Sequence, residues 1–114
     1  MTEKEYNEKC QKLKASMEKL LTSDREMIDH NAKMINLLLR NYGNDNPEKT
    51  QELLSLKMDN EDSLAIITSL ESMLKNRQTA DGISRVAELI HGYSNFFDLI
   101  HEDLDRIYQG SILC

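Results

Sequence analysis

The sequence predicts an all-α protein, an antiparallel bundle of three long helices forming one domain over residues 1–114. Three observations carry that expectation. Apolar residues recur at alternating three- and four-residue spacings along most of the chain, the signature of a helix face. One proline and four glycines in 114 residues are too few to punctuate a loop-rich or many-stranded fold. Six aromatics and no tryptophan leave the core to Leu, Ile and Met rather than to the usual strand formers. An apolar content of 39% beside 30% charged residues suits helices that bury a single stripe each.

The first helix is expected over residues 3–42. Thr2 and Glu5 form a capping-box pattern. Behind it Tyr6, Cys10, Leu13, Met17 and Leu20 make a narrow four-three-four-three seam of the coiled-coil kind. The stripe then widens into the pairs Leu20-Leu21, Met27-Ile28 and Met34-Ile35, with Leu38-Leu39 following. Gly43 stands where a left-handed helix stop belongs. Ser23 with Glu26 repeats the capping box and leaves open a break near residues 22–24.

Gly43-Asn44-Asp45-Asn46 reads as a loop, and Asn46-Pro47-Glu48 as a helix start with cap, first-turn proline and carboxylate in order. The second helix, 47–76, carries Leu53, Leu56, Asn60, Leu64, Ile67, Leu70 and Leu74. Its polar centre, Asp59 to Ser63, leaves open a kink or a fresh start capped by Asn60; breaks in the first two helices would make four or five in all. The third helix, 82–109, follows Asp81 as cap and alternates without a miss through Ile83, Val86, Ile90, Tyr93, Phe97, Ile100, Leu104 and Ile107. Leu89, Phe96 and Leu99 are expected to broaden that face, and Gly110 to end the helix before a short tail, 110–114.

At about 1.5 Å per residue, an unbroken first helix runs about 60 Å and the others about 45 Å each. It should therefore project about ten residues beyond its neighbours, leaving Tyr6, Cys10, Leu13 and Met17 as candidate interface residues. Self-association through that seam, as a homodimer, would bury them, with Glu3, Lys4, Glu5, Glu8, Lys9, Lys12 and Lys14 flanking it.

Charge narrows the function classes. The net charge is −6, and residues 26–114 hold eight basic against fifteen acidic side chains. Such a chain lacks the basic footprint that gives nucleic-acid affinity. An acidic face could instead imitate nucleic acid for a basic enzyme. Cys10 and Cys114 make neither a disulfide framework nor a metal pair. No run approaches membrane-spanning length, no start-of-chain apolar region is seen, and the expectation is a cytoplasmic protein without cofactor.

Three histidines are available for chemistry. Glu88-x-x-His91 and Asp98-x-x-His101 match the carboxylate-histidine spacing of di-iron bundles, but that chemistry draws such motifs from two helices. Both occur on one helix here, about 15 Å apart, and both histidines flank the seam. His30, with Glu26 four residues before it, is an ordinary helix-surface histidine. There is no nucleophile elbow and no phosphate-cradling glycine loop.

The stretch Arg85-Val86-Ala87-Glu88-Leu89-Ile90-His91-Gly92-Tyr93 resembles the Arg…His-x-Tyr signature of HEPN-type helical ribonucleases over about nine residues. The resemblance implies RNA cleavage with Arg85 and His91 as the catalytic pair and Tyr93 beside them. The chain departs from the family in having Val86 after the arginine, where a polar Asn is usual, and five residues before the histidine rather than four. The seam accounts for Val86 without catalysis. The leading expectation is a non-enzymatic protein–protein interaction module: an adaptor, an accessory subunit or a small inhibitor of a larger complex.

Overall fold

A computed structural model of the chain describes residues 2–42 and 45–113, with side chains through Ser111. The expected stop at Gly43, part of the 43–46 loop and the terminal Cys114 lie outside those residues, as do the side chains of Ile112 and Leu113. Three helices, α1 (Glu3–Tyr42), α2 (Pro47–Lys75) and α3 (Ala80–Leu113), all pack on one another. They form a rod with principal extents of 64 × 23 × 17 Å. None is long and apolar enough to cross a membrane among the described residues.

Local chemistry fixes the ends. The Thr2 hydroxyl oxygen accepts from the Glu5 N–H at 3.2 Å, and the Asn46 side chain accepts from the Lys49 N–H at 3.1 Å, with Pro47 opening α2. The third cap is Thr79, not Asp81. Its hydroxyl accepts from the Gly82 N–H at 3.1 Å, and Asp81 is a first-turn carboxylate. At the far end of α2, Lys14 of α1 donates to the carbonyls of Lys75 and Arg77 at 3.3 and 3.2 Å. A cation there meets the negative end of the helix dipole.

No break occurs in α1 or α2. Ser23-Glu26 starts no helix because the apolar stripe runs straight through it, with Leu21 and Ile28 both buried. Gly110 does not stop α3 either, which continues to Leu113, beyond the expected boundary. A glycine costs a helix interior only about 1 kcal/mol, which the packing of Leu104 and Ile107 outweighs.

The core has two apolar clusters. The larger joins Met17, Leu21 and Ile28 to Ile67, Leu70 and Leu74 and to Ile83, Ile90 and Phe97. The smaller joins Ile35 and Leu38 to Leu53, Leu56, Ile100, Leu104 and Ile107. Each such side chain contributes about 1.5–3 kcal/mol by leaving water.

In two places the seam falls on a polar residue rather than its apolar neighbour. Ser63 is buried and Leu64 is exposed; Ser94 is buried and Tyr93 is exposed. The four-three alternation through Leu56, Asn60, Ser63, Ile67, Leu70 and Leu74 is regular, and Leu64 lies to its side. Likewise Leu89, Phe96 and Leu99 do not broaden the core face. They point away from it and are exposed.

Candidate functional site

Two features stand out from a plain bundle: a buried polar relay and an uncovered apolar stripe.

The relay lies between the two apolar clusters. Asn31 is fully buried and Asn60 nearly so. His101 of α3 donates from Nδ1 to the Asn31 Oδ1 at 2.8 Å. The Asn31 amide donates to Asn60 Oδ1 at 3.4 Å, and the Asn60 amide donates to the Ile28 carbonyl at 2.9 Å. The chain of donors runs from α3 through α1 to α2 and back to α1. With the Asn31 oxygen accepting, the His101 proton is held on Nδ1, and Nε2 is left to the groove lined by His30, Met34, Leu104, Asp105 and Tyr108.

One heptad earlier in both α1 and α3, the Ser94 hydroxyl donates to the buried Asp24 carboxylate at 3.0 and 3.3 Å. Burial pushes the Asp24 pKa up, opposed by the Ser94 hydrogen bond and reinforced by the nearby Asp98 charge. Both contacts link residues 70 apart, so α1 and α3 run parallel and in heptad register. Among the described residues no buried polar side-chain atom lacks a partner. On the α1–α2 flank Arg25 pairs with Glu71 and donates to Thr68. These contacts tie the three helices to one another through paired polar groups.

The candidate interface residues separate. Cys10 and Met17 are buried in the larger cluster and Leu13 is packed against it. Tyr6 alone of the four projects, at 45% exposed. The overhang is shorter than expected because α3 is longer. From the relay layer α1 runs back from residue 31 to 3 and α3 from 101 to 80, a difference of seven residues or about 10 Å. Residues 3–9 project, and the seam from Cys10 onward finds partners within the chain.

The HEPN-like residues Arg85, His91 and Tyr93 are all exposed. Six helical residues place Arg85 and His91 about 120° apart around α3, and Tyr93 is turned about 160° from His91. The Tyr93 ring stacks on Phe97, with centroids 6.4 Å apart. The His30 and His101 rings lie 6.3 Å apart, but no group of three His, Cys, Asp or Glu side chains among the described residues is placed to hold a metal.

The apolar stripe is on the outer side of α3, where Leu89, Tyr93 and Phe96 are more than a third exposed and Leu99 is 58% exposed. With Ile66 of α2, Glu88 and Gly92, the first three line a shallow groove of about 480 Å³. It continues toward Met73, Gly82 and Arg85. The edge-on contact of Phe96 with Phe97, centroids 6.1 Å apart, holds the outer ring in place. The signal for this site was in the sequence: Leu89, Phe96 and Leu99 repeat seven and three apart, on a face that the core seam does not need.

Comparison of the chain with protein-family models, with characterised proteins and with solved structures finds no match. Fold and surface define the class: a three-helix bundle with a closed core and an apolar stripe left exposed on α3.

Proposed function

We propose that the protein is a non-enzymatic helical interaction module, an adaptor, accessory subunit or small inhibitor that works by docking to protein. One observation carries the reading. Four large apolar side chains, Leu89, Tyr93, Phe96 and Leu99, stand in water on α3 although the core is complete without them. Monomeric proteins rarely leave large contiguous apolar patches in water, so a cluster of this kind supports a contact surface. The same helix is anchored in the core by Ile83, Ile90 and Phe97, all fully buried, so the surface is presented on a rigid support.

The test compares wild type with Phe96→Lys/Leu99→Lys, changes confined to exposed positions. The expected result is a variant that melts like wild type yet loses self-association or a specific protein captured by wild type. A variant that keeps every contact would refute the reading. Cleavage of labelled RNA, lost in both Arg85→Ala and His91→Ala, would replace it with the ribonuclease one.

A further inference from the structure

We infer that the occupant of the α3 stripe is the α3 helix of a second copy of this chain, antiparallel to the first and centred on Ser94; this rests on the interaction-module reading above. Beside its core seam, α3 carries a second seam on its outer face: Arg85, Leu89, Gly92, Phe96, Leu99 and Asp103. The spacings are four, three, four, three, four, a coiled-coil repeat whose positions lie outside the core seam. The series has the same spacing from either end, with leucine matched to leucine, glycine to phenylalanine and arginine to aspartate. A two-fold axis at Ser94 sets Leu89 against Leu99 of the second copy, Phe96 against Gly92, and Arg85 against Asp103.

Each pairing is complementary. The two leucines fill one layer. Gly92 has nothing within 4 Å of where a Cβ would stand, which leaves open space for an incoming phenylalanine ring. Arg85 carries the charge that Asp103 lacks, and Asp103 is held in place by Arg106 at 3.2 Å. The axis repeats every pairing twice, as a self-complementary interface requires. A one-heptad displacement either way breaks the Arg85–Asp103 pairing and takes Phe96 off Gly92, setting it on Arg85 or on Leu99. The seam spans about 27 Å of helix, which belongs at the small end of specific interfaces.

Sedimentation velocity on the full chain tests this. Wild type should dimerise in the micromolar range. Gly92→Leu, which fills the space for Phe96, should weaken the dimer at least about tenfold while leaving helix content equal or higher, since leucine favours helix over glycine. Arg85→Asp should weaken it about fivefold or more, and Arg85→Asp/Asp103→Arg should return it to within about twofold of wild type. The Asp103–Arg106 pair lost in that variant is exposed, so the monomer should be little affected. A wild type that is monomeric at about 100 micromolar, or a dimer untouched by Gly92→Leu, would overturn the inference. If wild type is monomeric while Phe96→Lys/Leu99→Lys still strips a captured protein, the dimer fails and the interaction module stands.

Discussion

Replacing Asn31 by alanine removes the centre of the three-helix relay, and the size of the loss follows from what is left behind. Asn31 is 0% exposed, and its amide donates to Asn60 Oδ1 while its oxygen accepts from His101. Deleting it leaves the buried Asn60 oxygen without that donor, a penalty of about 1–3 kcal/mol. His101 sits at the edge of a groove, so its N–H can turn to water at small cost. The cavity adds about 1 kcal/mol. The expected loss is therefore about 2–4 kcal/mol, or a Tm about 10–20 °C lower for a chain of this size. Urea denaturation at fixed protein concentration should show the midpoint falling with m unchanged. Asn31→Leu/Asn60→Leu should lose less than the two single changes together, because apolar groups replace both members of a buried polar pair. An Asn31→Ala protein melting within about 2 °C of wild type would refute the account of the relay.

Asp24→Asn tests the raised carboxylate. A folded-state pKa above the unfolded one makes folding favour the protonated acid, so this stabilisation is complete below about pH 4 and is lost as pH rises through the folded value. Asp24→Asn should thus melt higher than wild type at pH 7.5, with the gap closing toward about pH 4; a gap that widens in acid would reverse the sign. Phe97→Asp places a charge at a fully buried position and should cost several kcal/mol, read as lost helical circular dichroism at 25 °C. Gly110→Ala lies in a helix with nothing within 4 Å of the added carbon and should raise stability by about 0.5–1 kcal/mol in thermal melts.

The helices were legible because the three-four alternation is nearly unbroken, and because Thr2, Asn46 and Pro47 announce two of the starts in capping chemistry. The third start was misplaced by two residues, since Thr79 and Asp81 are both acceptable caps and only the Gly82 N–H decides between them. Within the helices, reading apolar residues as core chose Leu64 over Ser63 and Tyr93 over Ser94. Seam phase, not side-chain polarity, determines burial there. The serines are tolerated because each hydroxyl has an acceptor: Ser63 on the Asp59 carbonyl at 2.8 Å, Ser94 on Asp24. The outer stripe escaped for the complementary reason. Leu89, Phe96 and Leu99 look like core until the bundle is seen to close without them.

The relay also bears on how the helices wind. A third helix can settle on either side of an α1–α2 hairpin, giving two bundles of opposite hand whose apolar stripes are buried almost equally well. Only one hand brings the His101 flank of α3 against α1, where Asn31 waits beneath it and Asp24 meets Ser94. In the other, α3 would turn its Leu89–Phe96 flank toward α1, and the buried Asp24 carboxylate and Asn31 side chain would lose their α3 partners. Unpaired polar groups in the interior are costly enough to separate two otherwise similar packings. One amide, a carboxylate, a serine and one imidazole thereby favour the handedness that a ladder of leucines and isoleucines leaves undecided.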